Sequence, residues 1–205
     1  MRIVHYHFLP ENTLVFKFLL TPNPKSSKLF YEGEQNGLIE ALRTLSRLKR
    51  TGVIRDYAIG GGYAVNYYLE PILTYDLDIF LLMDTDDEFS ALYRYFKKAR
   101  YKIENVYIMI GEMPVQFLPS SIHPLIDEAV KGAKRIRVKG VYTKVLTAEH
   151  LIATLLMAFR PKDKMVIPEL LELANRKKLN HIIERFSDEK THLDQKLQRI
   201  LGSIQ

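Results

Sequence analysis

Two aspartates, Asp76 and Asp78, stand two residues apart in an otherwise apolar run that ends at Leu82. On a strand, successive side chains alternate faces. Asp76 and Asp78 would then point the same way, about 6.5–7 Å apart at their bases, with Leu77 and Ile79 turned to the core. Carboxylates that close can converge on one cation. Mg²⁺ suits such a pair, since it takes one or two carboxylates and completes its octahedron with water and phosphate oxygens. Without a cation, two like charges on one face of an apolar strand are unfavourable. Solvated carboxylates at a sheet edge are the alternative. Upstream lies Gly60-Gly61-Gly62, a run too costly for the interior of a regular element and therefore read as a turn. Glycines at a helix start let backbone N–H groups approach an anion without interference from a Cβ. A tight strand-to-helix turn with no ligand is the competing reading.

The elements that must position these residues follow from periodicity. Leu38, Ile39, Leu42, Leu45 and Leu48 recur at helical spacing, which predicts a helix from Asn36 to Thr51 with Gly52 as its stop. A short strand around Tyr57–Ile59 leads into the glycines. Tyr63–Leu69 reads as a helix ended by Pro71, and Thr74–Leu82 as the strand carrying the aspartates. Thr85 and Glu88 form a capping-box pattern, so the acids around Asp86 are assigned to a helix start and given no chemistry. Tyr101–Ile110 and Pro114–Leu118 read as strands about a turn at Gly111-Glu112-Met113, with Gln116 facing away from Val115 and Phe117. Pro124–Val130 is a short helix. A basic strand-like stretch from Lys131 to Lys144 follows, in which Arg135 and Arg137 share a face. They are the first choice for phosphate contact, with a solvated outer strand as the alternative. Thr147 caps an apolar helix, and helices at about Met165–Lys178, Leu179–Phe186 and Asp188–Ile204 complete the chain. His123, His150, His181 and His192 show no metal-ligand spacing.

Residues 1–30 are read as an N-terminal extension that could form a hairpin around Pro10-Glu11-Asn12, with Thr21–Lys28 as a loop. His5 and His7 within it are read as solvated. Residues 31–146 form the core unit, and residues 147–205 a C-terminal helical region. A chain of 205 residues with 47% hydrophobic content can bury a substantial core. It has no cysteine, which excludes disulfides and thiolate metal sites. No apolar run is long enough to span a bilayer, and the N-terminus lacks a signal-peptide pattern, so a cytoplasmic protein without a membrane role is expected. The net charge of +6 and pI near 9.3 mildly favour a polyanionic partner such as nucleic acid or nucleotide, with ordinary solubility charge as an equal alternative.

Ile59-Gly60-Gly61-Gly62, thirteen intervening residues and Asp76-Leu77-Asp78-Ile79 together resemble the signature of the polymerase-beta-type nucleotidyltransferase superfamily. Gly61-Gly62-Tyr63-Ala64, Thr74, the stretch from Thr147 to Ala153 and the stretch from Arg160 to Lys164 are most similar to minimal and abortive-infection toxin-like members. The resemblance covers roughly residues 36–170. It implies an α/β (α+β) fold, a mixed sheet flanked by helices with a helical C-terminal region. It also implies a nucleoside triphosphate held by Gly60, Gly61 and Gly62, and Mg²⁺ held by Asp76 and Asp78. The implied activity is transfer of a nucleoside monophosphate to a hydroxyl of an RNA, a protein or a small molecule, and a toxin–antitoxin role belongs to the same expectation. Two positions depart from the pattern. The third carboxylate of active members is replaced by Gln116, and a lysine in the helix after Leu151 is replaced by Leu155. The alternative reading is therefore a catalytically impaired relative that binds nucleotide, RNA or a protein partner.

Overall fold

The computed structural model describes residues 32–203. The readings for the N-terminal extension, including the hairpin and His5 and His7, lie outside the described residues. Helix α1, Glu32–Arg50, buries Leu38, Leu42, Leu45 and Leu48 on one stripe. It ends in a Schellman arrangement: the Val53 N–H donates to the Leu48 carbonyl at 3.0 Å, the Gly52 N–H to Lys49 at 3.2 Å, and Gly52 takes the left-handed φ of 75°. Strand β1, Tyr57–Ile59, then runs into α2, Gly61–Tyr68, with Gly60 as its N-cap. Strand β2 is Leu77–Leu81, shorter than the expected Thr74–Leu82, so Asp76 precedes the strand and only Asp78 lies within it.

Helix α3 spans Asp86–Lys98, its first turn capped by the Thr85 hydroxyl, which accepts from the Glu88 N–H. Where one strand was expected over Tyr101–Ile110, Asn105 turns to a φ of 55° and divides it into β3, Ile103–Glu104, and β4, Tyr107–Ile110. Strand β5 is Met113–Pro119, followed by a 3₁₀ turn at Ser120–Ile122 and α4 at Pro124–Lys131. The basic stretch is a hairpin, β6 at Lys134–Val138 and β7 at Val141–Val145. Lys139 and Gly140, both at positive φ, make its two-residue turn, as a type I′ connection requires.

Four helices close the chain: α5 Ala148–Ala158, α6 Pro161–Leu173, α7 Arg176–Phe186 and α8 Leu193–Gly202. Their starts differ from expectation for local reasons. Pro161 at the first position, with Arg160 as cap, begins α6 early. The Asn175 side chain accepts from the Lys178 N–H and begins α7. The Asp188 carboxylate accepts from the Lys190 and Thr191 N–H groups, a local turn that holds this segment out of α8.

The strands form one mixed seven-stranded sheet in the order β3-β4-β5-β2-β1-β7-β6. Strand β2 is central, antiparallel to β1 and parallel to β5. Leu77, Ile79 and Leu81, with Val115 and Phe117 beside them, are almost wholly buried, and Phe117 meets Phe96 of α3. The opposite face of β2 and β5 is covered by α4 and α5. Helix α5, which belongs to the C-terminal helical region, therefore packs into the same core as the sheet.

Candidate active site

Register places the key residues in one row. The Gly60 N–H donates to the Asp78 carbonyl at 2.9 Å. Asp78 pairs with Gln116 on β5, and Gln116 pairs with Tyr107 on β4. The row Gly60, Asp78, Gln116, Tyr107 therefore crosses the middle of the sheet. The Tyr107 hydroxyl donates to Asp76 Oδ2 at 3.2 Å.

The glycines are required by packing as much as by any ligand. A Cβ on Gly60 would fall 2.1 Å from the Phe80 ring, one on Gly61 1.7 Å from Asp78 Oδ2, and one on Gly62 2.4 Å from the Thr74 hydroxyl. Gly61 also holds a φ of 52°. The Asp78 carboxylate thus lies directly against the start of α2. The N-cap Gly60 has no side chain to occupy the first-turn N–H groups. These groups, with the positive end of the helix, face the region where Asp78 sits.

Asp78 is 8% exposed. Burial, reinforced by the neighbouring charge of Asp76, raises its carboxyl from 3.8 to about 6, against the pull of Arg160 and Lys162. All five residues of β2 are buried, so Asp78 does not stand on a solvated face. Arg160 comes from the junction of α5 and α6. The left-handed Phe159, at a φ of 49°, ends α5 and redirects the chain. Asp163 is buried and accepts from the Arg160 backbone N–H at 2.9 Å, from Nε at 3.0 Å and from Nη2 at 3.3 Å. The Asp163 hydrogen bonds, with further support from the charges of Asp78 and Asp76, raise the Arg160 guanidinium above its ordinary value. The Asp76 charge, more than burial, raises the Tyr107 phenol.

Beside Asp78 opens a cleft of about 210 Å³, walled by Phe80, Leu118, Ile126 and Leu155 and edged by Gln116 and Arg160. Leu155, where a lysine was expected, is part of its apolar wall. The donor set fits one divalent cation: two carboxylates, one of them destabilised by its burial and by the other's charge, with an amide oxygen alongside. No group of three or more histidine or acidic side chains converges among the described residues. Gln116 occupies the register position beside Asp78 where the third carboxylate was expected.

The structure brings together Asp76, Asp78, Gln116, Gly60, Gly61 and Gly62. It does not bring Arg135 and Arg137 to them. Strand β6 lies three positions from β2, about 14 Å at ordinary strand spacing. The cations that act on Asp78 are Arg160 and Lys162. Sequence reasoning assigned no role to Arg160 or Tyr107. The signal for the first was present in Pro161 and Asp163 following Arg160, a helix-start pattern that fixes this side chain. Nothing local announced Tyr107, whose place depends on strand register. Of the described histidines, His181 and His192 are exposed. His123 caps α4, accepting from the Leu125 N–H, and the buried His150 lies between Thr147 and Glu128.

No helix among the described residues is long and apolar enough to cross a membrane. No family model and no curated protein matches the chain. Among solved structures, an antigenic nucleotidyltransferase-like protein from Paracoccidioides brasiliensis is similar at 15% identity with a TM-score of 0.55, over 82% of this chain and 87% of that one. Two structures of ANT(2'')-Ia also align. The complex with adenylyl-2''-tobramycin does so at 14% identity and a TM-score of 0.46, over 73% of this chain and 96% of that one. The solution structure of this antibiotic-resistance factor does so at 12% identity and a TM-score of 0.47, over 81% and 96%. The chain thus has a nucleotidyltransferase-like α/β fold, a mixed sheet of seven strands flanked by helices.

Proposed function

We propose that this chain binds a nucleoside triphosphate with Mg²⁺ at Asp76 and Asp78 and transfers the nucleoside monophosphate to an acceptor hydroxyl. The observation that carries the reading is the contact of the Asp78 carboxylate with Gly61 at the uncapped start of α2. The Asp78 carboxylate and the start of α2 thereby border one small cleft. Mg²⁺ held by the two carboxylates would neutralise phosphate charge there. The chain's own contributions are mostly positioning. The α2 start offers N–H groups to phosphate oxygens. Arg160, fixed by Asp163, supplies a positive charge on the opposite wall, as phosphoryl chemistry requires. The apolar side of the cleft excludes water and accepts a flat or aliphatic group.

A second reading has its own observation. Gln116 sits beside Asp78 in exact register, and an amide cannot remove a proton from the acceptor. On that reading the site binds Mg²⁺ and nucleotide without turnover. Labelled nucleoside triphosphates incubated with the protein and a cell extract separate the two. Transfer lost in Asp76→Ala and Asp78→Ala supports the enzyme. Mg²⁺-dependent binding without transfer, and transfer gained in Gln116→Asp, supports the binding protein. Neither binding nor transfer refutes both.

A further inference from the structure

The hairpin β6–β7 at the sheet edge carries a second assembly of side chains, well away from Asp78. Lys134, Arg135 and Arg137 all stand exposed on the five-residue strand β6. None of the three has a carboxylate within ion-pair distance among the described residues, whereas Lys49, Arg55, Lys131, Lys144 and Arg185 each do. Next to them Tyr142 is 72% exposed, with the Arg137 guanidinium 5.2 Å from its ring centre. Lys134, which alternation turns to the other face of β6, lies 5.3 Å from the Tyr67 ring. Between α1 and this hairpin is a hollow of about 360 Å³, with Lys49, Tyr57, Arg135, Tyr142 and Lys144 on its walls. Its one carboxylate, Asp56, is already engaged by Lys49 at 2.6 Å and Lys144 at 2.9 Å.

Charged side chains on an edge strand often serve only to block pairing with another sheet. That role needs no aromatic ring left in solvent beside them. Cations on one strand face without a carboxylate partner among the described residues, beside a largely exposed ring, match the two demands of an unpaired polynucleotide: charge along the backbone and a flat apolar partner for a base. A folded polyanion without bases would use the cations and leave Tyr142 idle.

We infer that the β6–β7 edge, with Arg135, Arg137 and Tyr142, is a docking surface for single-stranded nucleic acid. This does not rest on transfer at Asp78. The surface can hold a strand whether or not the site turns over.

The test is fluorescence anisotropy of the full chain with fluorescein-labelled dodecauridine across 50–200 mM salt, with linear polyphosphate and polyglutamate as competitors lacking bases. Binding should weaken with salt, and Arg135→Gln with Arg137→Gln should flatten the logarithmic salt slope by about 1.4, from roughly 0.7 per phosphate contact on a single strand. Tyr142→Ala should weaken binding about tenfold through lost stacking, while leaving the two competitors' own binding unchanged. Asp78→Asn should bind the oligonucleotide as the wild type does. The inference is overturned if the paired arginine substitutions leave the slope unchanged, or if Tyr142→Ala has no effect. It is equally overturned if polyphosphate or polyglutamate competes as well as an equal charge of oligonucleotide, or if Asp78→Asn abolishes binding. Circular dichroism of each variant confirms the fold, which these exposed positions should not disturb.

Discussion

Replacing Gly61 with alanine separates two costs that the structure makes distinguishable. The first is conformational. Gly61 has a φ of 52°, and an L-residue held in the left-handed region costs about 1–2 kcal/mol. The second is steric. The new Cβ would lie 1.7 Å from Asp78 Oδ2, where ordinary contact begins near 3.4 Å, so the carboxylate must retreat by about 1.7 Å. Asp78 is buried and cannot swing freely. Either the side chain leaves its rotamer, at about 0.5–1.5 kcal/mol, or β1 and β2 separate and weaken the Gly60–Asp78 hydrogen bond, worth about 1 kcal/mol net. Gly61→Ala should therefore cost about 1.5–3.5 kcal/mol. Gly52 supplies the control, because it has a φ of 75° and nothing within 4 Å of its Cβ position. Gly52→Ala should cost the conformational part alone. Urea unfolding of both variants, and of Gly61→Ala in an Asp78→Ala background, measures the difference. Removing the carboxylate should recover about 1 kcal/mol or more of coupling. Nucleotide binding in the presence of Mg²⁺ should weaken, and transfer should slow by about a hundredfold, since misplacement on the scale of 1 Å costs that much in rate. Equal losses for Gly61→Ala and Gly52→Ala, with binding intact, would refute the placement of Asp78 against the α2 start.

Further outcomes follow from the same geometry. Because the folded carboxyl of Asp78 titrates near 6 against an ordinary 3.8, its charged form opposes folding above pH 6, and that penalty fades as the pH falls toward 4. Asp78→Asn should thus gain up to about 3 kcal/mol on the wild type between pH 4 and pH 7.5. A stability difference that is flat across urea titrations at these pH values would contradict this. Asp163→Ala removes the acceptor for the Arg160 backbone and side chain. Thermal unfolding should show a loss of about 1–2 kcal/mol, and nucleotide affinity should fall with it if Arg160 contacts phosphate. Lys144→Met strips the Val130 carbonyl and Asp56 of a donor and should cost about 1–3 kcal/mol by urea unfolding. A neutral result would show that water replaces the ammonium group there.

Asp78 and the glycines were legible because the chemistry that joins them is local. Asp78 on its strand with Asp76 just before it, and a turn that tolerates only glycine, leave their mark in spacing. Gln116 was placed correctly for the same reason, since alternation along β5 sets its face. Arg160 and Tyr107 were not legible as site residues. Arg160 arrives through the packing of α5 and α6, and Tyr107 through register with Gln116, and neither leaves a periodic trace. The alternation of Arg135 and Arg137 on β6 was readable, but their distance from Asp78 was not. That distance depends on β1 and β7 standing between β2 and β6, which is a property of sheet order. The split of the Tyr101–Ile110 run turned on Asn105, a residue type that enters the left-handed region more readily than most and gives no other warning.

The bond from the Gly60 amide to the Asp78 carbonyl also fixes how the floor of the cleft can move. That amide proton is released to exchange with solvent only when β1 and β2 part, an event that belongs to opening of the central sheet. The Gly60 resonance is thus a clock for the floor, expected to be among the slowest to exchange in the protein. Adjustments to an arriving ligand fall instead to the wall built on the α5–α6 junction, where Phe159 already holds an uncommon backbone angle. A nucleotide that tightens the site should quieten the amides around Arg160 and leave Gly60 unchanged.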